Sequence, residues 1–356
     1  MKAVVLQSAF IGDVLFTLPL IEALAASERY EAVAVAATPA GGEMVRLHGR
    51  ARPILDDKRG GDAGPLGVAR VCARLRAFAG GAPLDVYAAH RSARTALVAL
   101  GSGAERRIGF ADAALARLAY GVRAPRERRD VDAYLSLARA AGVGAVAAAP
   151  RIEVTGEARR AAEARLGPGR PRLGLVLGSR RATKDWPEER LVEAVCAARA
   201  HGFARVCLLG GPAERARAAR VRAAAVAATR GAAVAVHADA GGGPNGRAGA
   251  SLGLDDATGE PLADAGATLA VLDAVIGPDS GLTHLARAVG TPAVVLFGPT
   301  DERRHALGPR ARALVNEALG CRPCHHAGPR RCPLGHHACM RALGGAQAVA
   351  AAAALL

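Results

Sequence analysis

The sequence predicts an α/β protein made of two Rossmann-like halves, each a parallel sheet with helices packed on its faces. Three observations lead there. Short apolar runs alternate with stretches of helical period from the first residues onward. The alternation pauses at 145–171, where a short strand, a charged Ala-rich helix and a Pro/Gly cluster follow one another, and then restarts. The chain has 356 residues, more than one core usually serves, since about 100–200 residues per domain is common.

The elements follow in order. Residues 2–6 (KAVVL) read as a buried strand, and 14–27 as a helix with Leu15, Leu18, Ile21 and Leu24 at helical spacing. Residues 32–38 are a second strand, ended by Pro39 and the Gly41-Gly42 pair, which reads as a break. Helices at 66–79, 92–102 and 130–142 alternate with strands at 84–90 and 106–110. Past the pause come strand 173–179, helix 187–202, strand 204–211, helix 212–229, strand 271–278, helix 281–290 and strand 293–299. Residues 345–356 read as a closing helix. The Gly-rich stretch 238–262 is expected to be a surface loop or insertion. The expected domains are 1–160 and 161–343, with 344–356 closing the chain.

Composition narrows the function. The formal charge is +15, but Lys occurs only at Lys2, Lys58 and Lys184, and Arg does the ordinary surface work. Aromatics make up 3% and no block of five like charges occurs, whereas nucleic-acid grooves interleave cations with stacking rings. No nucleic-acid partner is therefore expected; an anionic small molecule or membrane surface fits better. No run of ~18 apolar residues could span a membrane, and the start MKAVVLQSAFIGD reaches Gly12-Asp13 before a signal-peptide core can form. The expected location is the cytoplasm. Cys72, Cys196 and Cys207 sit in apolar stretches as small core residues.

The stretch 276-IGPDSGLTHLARAVG-290 places Asp279, Ser280, Thr283 and His284 between two core segments. In open α/β sheets ligands collect outside the carboxyl ends of strands, and this is such an end. Asp279 or Ser280 could cap the helix, leaving backbone N–H groups near Gly281 for an anion; a capped helix with a core histidine is the alternative. A second strand-to-helix loop, 178-GSRRATKDWPEERL-191, carries Ser179, Arg180 and Lys184. Retention of a rare ammonium there points to a point-charge contact such as a phosphate. Glu214 lies past another strand end, where it either accepts from ribose hydroxyls or merely starts a helix. At the first turn, Gly12 and Asp13 offer either a helix cap or a general base. His90, Arg91 and Arg94 follow an early strand, as acidic-ligand contacts or a solvated helix start. No P-loop or HExxH occurs, and no GxGxxG joins an apolar strand to a helix, which removes NTPase, metalloprotease and dehydrogenase readings.

Together these segments resemble the ADP-heptose:lipopolysaccharide heptosyltransferases, nearly end to end. The resemblance rests on SAFIGDVLFTLPLIEAL, DVYAAHRSARTALVALGSGAERRIGF, TKDWPEE and DSGLTHLARAVGTPAVVLFGPTD. The segment CRPCHHAGPRRCPLGHHACM looks like the tail of the heptosyltransferase II branch. It implies a GT-B fold, two Rossmann-like domains facing across a cleft, the first binding the acceptor and the second the nucleotide sugar. It implies inverting transfer of heptose from ADP-heptose to the lipopolysaccharide inner core, at the inner face of the membrane. Asp13 corresponds to the family's proposed base. Ser179, Arg180, Lys184, Asp279, Ser280, Gly281 and His284 fall on donor-binding positions, and Glu214 on the adenosine-side acid. Arg180 departs from the family's usual Thr or Ser. Gly12, His90, Arg91 and Arg94 would face the acceptor. No cofactor is expected beyond the donor substrate. Cys321, Cys324, Cys332 and Cys339, spaced C-x2-C-x7-C-x6-C among four histidines, suffice for a structural zinc site, but their spacing is not a standard finger and a reduced cluster would look the same.

Overall fold

The computed structural model describes residues 1–145, 149–229, 235–237 and 251–356. It divides into two compact units, residues 1–152 with 303–306, and 153–302 with 307–356.

The first unit holds β1 (Lys2–Leu6), β2 (Ala32–Ala37), β3 (Arg52–Leu55), β4 (Leu84–Ala88), β5 (Arg106–Phe110) and β6 (Val122–Ala124). All described pairs are parallel, in the order β3-β2-β1-β4-β5-β6. This order reverses direction between β1 and β4, the doubly wound arrangement. Val4, Val86 and Ile108 from neighbouring strands are fully buried, as continuous apolar runs require when both faces are covered.

One expectation fails here. The Pro39-Gly41-Gly42 stretch does not break the chain; it opens the helix Pro39–His48. Thr38 caps it by accepting from the Gly41 N–H at 3.3 Å, and Pro39 sits where its missing N–H costs nothing. Gly41 is needed for close approach, because a Cβ there would stand 3.1 Å from Ala37 and from Val14. The helix ends at Gly49, in the left-handed region with φ 78°.

The second unit contains β7 (Arg172–Val176), β8 (Arg205–Leu209), β9 (Ala235–His237), β10 (Ser251–Asp256), β11 (Ala274–Pro278), β12 (Ala293–Phe297) and β13 (Ala311–Val315). Among the described residues they form one parallel sheet, β13-β12-β11-β7-β8-β10-β9. The expected loop at 238–262 is therefore partly wrong. Residues 238–250 lie outside the described residues, but 251–256 form a strand beside β8, followed by the helix Leu262–Ala270. The pairing is fixed by chemistry that composition hides. Arg205 on β8 makes a two-pronged bond to Asp255 on β10, at 2.7 and 2.8 Å, and both are buried. Gly253 leaves the guanidinium its space, since a Cβ there would lie 2.4 Å from it.

Trp186 anchors the core of this unit. Its indole N–H donates to the Leu343 carbonyl at 2.9 Å, tying the loop after β7 to the approach of the closing helix Gly345–Ala353.

Candidate functional site

The second sheet changes direction between β7 and β11, which are neighbours. Ligands of open α/β sheets bind at such a reversal, beyond the carboxyl ends. Two loops 95 residues apart meet there: the Lys184 ammonium lies 3.1 Å from Asp279 Oδ2. Thr300 donates to the same oxygen at 2.9 Å. The other carboxylate oxygen faces His284 Nε2 at 2.8 Å.

The protonation of His284 follows from its partners. Arg287 approaches Nδ1 at 3.0 Å, and a guanidinium can only donate, so Nδ1 accepts and Nε2 carries the proton toward Asp279. Burial holds the imidazole pKa below its ordinary value, against the raising effect of Asp279, so the ring is neutral at pH 7. Burial also lowers Arg287, to about 10.

The expected cap of the next helix is corrected by this network. Helix Gly281–Ala288 starts at Ser280 with no side-chain cap bond. Asp279 is committed to Lys184, His284 and Thr300, and the Ser280 hydroxyl pairs with Thr283 at 3.1 Å. An ammonium and an uncapped helix start thus border one reversal point, an arrangement suited to a diphosphate.

Ser179 closes the loop itself: its N–H donates to Asp185 at 2.7 Å and its hydroxyl to the Arg181 carbonyl at 2.8 Å. Arg180 is exposed on that loop. Glu214 ends a 3-10 turn after β8, where it accepts from the Gly211 N–H at 2.8 Å. It packs on Gly178, where a Cβ would meet Glu214 Oε1 at 2.8 Å. Its carboxylate therefore stands beside the Ser179 loop.

Sequence reasoning did not identify His337. Its Nε2 donates to the Thr183 carbonyl at 2.7 Å, bracing the turn Ala182–Lys184. Its φ of 51° is uncommon for a residue with a side chain, so the surrounding fold holds it there. His337→Ala is expected to lower stability by about 0.5–1.5 kcal/mol, the value of one lost hydrogen bond. His337→Asn tolerates the backbone and keeps a donor; the denaturation midpoints of both variants check the order.

In the first unit the reversal lies between β1 and β4. Asp13 follows β1, not as the N-cap of its helix but three residues in; helix Ile11–Ala25 is capped at Phe10, whose N–H donates to Asp13 Oδ2 at 3.1 Å. Gly12 is in the same turn. After β4, Arg91 pairs with exposed Asp112 at 2.8 Å and Arg94 with buried Asp56 at 2.7 Å. Lys58, from the loop after β3, was missed. Burial lowers its pKa, Asp56 and Asp13 oppose that, and Arg59 and Arg94 add to it. The rarity argument applied to Lys184 would have found it.

His90 joins this group as a neutral ring. Its Nδ1 lies 3.0 Å from the Ser92 hydroxyl, and burial, with Lys58 and Arg91, lowers its pKa from 6.5 to about 4. Between those values the unfolded chain binds a proton that the folded chain refuses, so stability falls as pH falls through the window. His90→Gln is expected to flatten that dependence, measured as the difference in denaturation midpoints between pH 7 and pH 5.

Comparisons with known proteins identify the family and the fold. The family profile "Glycosyltransferase family 9 (heptosyltransferase)" matches residues 85–237 and 260–334, more than half of the chain. A curated relative, "Lipopolysaccharide heptosyltransferase 1" of Pseudomonas aeruginosa, is 29% identical over 163 residues, spanning 44% of this chain and 37% of that protein. Among solved structures, E. coli ADP-heptose LPS heptosyltransferase II superposes with a TM-score of 0.73 at 19% identity, covering 100% of this chain and 98% of the other. A family 9 glycosyltransferase from Veillonella parvula gives 0.77 at 19%, covering 99% and 96%. E. coli heptosyltransferase WaaC, solved with ADP-2-deoxy-2-fluoro heptose, gives 0.62 at 19%, covering 96% of each. These likenesses carry the GT-B fold of two parallel α/β units, and the profile match makes the chain a member of glycosyltransferase family 9, the heptosyltransferase family.

Proposed function

We propose that this chain transfers a heptose from ADP-heptose to the inner core of lipopolysaccharide, adding the second heptose with inversion at the anomeric carbon. The observation that carries the reading is the Lys184–Asp279–His284 constellation at the β7/β11 reversal. In this reading the Lys184 ammonium and the start of helix Gly281–Ala288 bind the diphosphate and stabilise the charge that develops on it as it leaves. Asp279 aims the ammonium, and Glu214 receives the ribose side. Ser179 and Arg180 shape the loop. Asp13, from the first unit, takes the proton of the attacking acceptor hydroxyl. Lys58, Arg91 and Arg94 supply positive charge for an acidic, phosphorylated acceptor, and His90 supplies a neutral donor or acceptor beside them.

Among the described residues no helix is long and apolar enough to cross a membrane. The +15 formal charge supports peripheral contact with an anionic membrane surface at its cytoplasmic face. A first-heptose transferase is the second reading, favoured by the Pseudomonas relative.

The test is ADP release from ADP-heptose with purified protein and two acceptors, Kdo2-lipid A and heptosyl-Kdo2-lipid A. Release only with the heptosylated acceptor supports second-heptose addition. Release only with Kdo2-lipid A assigns the first. ADP-heptose binding without release on either acceptor rejects the proposed transfer.

A further inference from the structure

The loop from β7 to the helix Glu188–Ala198 carries Ser179, Arg180 and Lys184, and its only regular piece is the 3-10 turn Ala182–Lys184. Neither sheet nor helix geometry sets its path, so other bonds must. His337 braces the turn itself. The two ends of the loop are held by a different residue, Arg217, on the helix Arg215–Ala228. Arg217 Nη1 donates to the Leu177 carbonyl at 2.6 Å, just past β7. Nη2 donates to the Trp186 carbonyl, just before the helix Glu188–Ala198 begins. One planar group thus spans both ends. Arginine suits this because its fork fixes several N–H donors in separate directions, whereas an ammonium is a single point charge.

The charge is matched as well. Asp185, inside the loop, has one oxygen 3.7 Å from Nη1, while the other accepts from the Ser179 N–H. Burial raises the Asp185 pKa, and the Ser179 bonds and Arg217 oppose that. Arg217 Nε lies 3.7 Å from Glu188, at the start of the next helix. The Arg217 side chain is only 15% exposed, so these contacts are poorly screened by solvent. The base of this arm is the other side of the site. Arg217 stands one helical turn after Glu214, and Glu214 packs on Gly178 at the loop's beginning. The Lys184 loop and the Glu214 turn are therefore locked to each other twice, once by packing and once by a charged fork.

We propose that Arg217 is a positioning residue for the donor site: it clasps the two ends of the Lys184 loop to the turn that carries Glu214, and so sets where the ammonium stands. It acts through the loop and not on the substrate. The effect on ADP rests on the donor-binding role proposed above; the clasp does not.

The test uses the full-length chain and two readouts. Hydrogen exchange, followed by mass spectrometry without ligand, reports on the loop at 178–186. In Arg217→Met the loop is expected to exchange about tenfold faster than in wild type, while β7 and β8 keep their protection. Calorimetric titration reports on ADP. Arg217→Met is expected to bind ADP about tenfold more weakly, the worth of about one lost hydrogen bond. Arg217→Lys should fall between wild type and Arg217→Met in both readouts, because it keeps the charge beside Asp185 and Glu188 but reaches only one carbonyl. Arg220→Met, which loses a bond from the same helix to Glu188, should keep ADP affinity within about twofold. Placed on Lys184→Met, Arg217→Met should cost little further affinity, since no ammonium is left to misplace. Unchanged loop exchange in Arg217→Met overturns the clasp. An Arg217→Lys chain indistinguishable from wild type in both readouts overturns the two-ended grip. Faster exchange with wild-type ADP affinity, or fully additive losses in the double variant, overturns the positioning role. Absence of ADP binding by wild type rejects the donor-site reading instead, and the exchange result still decides the clasp.

Discussion

Asp13→Asn is expected to lower kcat for heptosyl transfer by about 10²–10⁴-fold, the usual contribution of a positioned general base. The affinity for ADP should stay within a few-fold of wild type, because every donor-side residue named here belongs to the second unit. The substitution is chosen on structural grounds. The carboxylate accepts from the Phe10 N–H at 3.1 Å and so helps to start the helix Ile11–Ala25. An asparagine carbonyl can keep that bond while losing the basic oxygen, whereas alanine removes both. The Thr17 hydroxyl donates to the Asp13 backbone carbonyl at 2.7 Å and is untouched by either change. A variant with intact melting behaviour and ADP binding but no turnover separates chemistry from folding. Turnover within tenfold of wild type would remove Asp13 from the mechanism.

What the sequence made legible has a physical pattern. The parallel halves could be read because β1, β2, β4, β7, β8, β11 and β12 are short apolar runs followed by helical periodicity. β3 and β10 escaped notice because their burial is uneven or their partners unusual. β3 carries Pro53 and an exposed Arg52, and β10 reads as SLGLDD after a Gly-rich stretch. Only the pairing of Asp255 with Arg205, 50 residues away, makes sense of an acid inside that strand. The helix at Pro39–His48 was hidden because Gly-Gly usually marks a break, while here Gly41 serves packing against Ala37.

The site divides in the same way. Lys184, Asp279 and His284 each stood out singly, by rarity or by position at a strand end. Their union did not, because strand order rather than sequence distance places β7 beside β11. His337 gave no sequence signal of its own: one histidine among four in a Cys-rich stretch says nothing about a carbonyl 154 residues away.

The second large effect concerns the ion pair. Lys184→Met is expected to weaken ADP binding by about 10–150-fold, corresponding to the ~1.5–3 kcal/mol of a charge-assisted hydrogen bond. It should also lower thermal stability. The Asp279 and Lys184 side chains are only 10% and 14% exposed, and removing the ammonium takes away the cation in direct contact with that carboxylate. These two losses can be told apart. Asp279→Asn in the same chain removes that charge; its amide oxygen can replace Oδ1 in accepting from His284 Nε2, and its amide N–H can replace Oδ2 by donating to the Thr300 hydroxyl oxygen. The double variant Lys184→Met/Asp279→Asn is therefore expected to regain much of the lost stability but little of the lost affinity. That outcome would assign the ammonium to the ligand and the carboxylate to holding it in place. Recovery of ADP affinity in the double variant would mean that Lys184 serves only to neutralise Asp279, and that the diphosphate is bound by other groups. Calorimetric titration with ADP, beside thermal melts of the four proteins, reads both quantities from the same preparations.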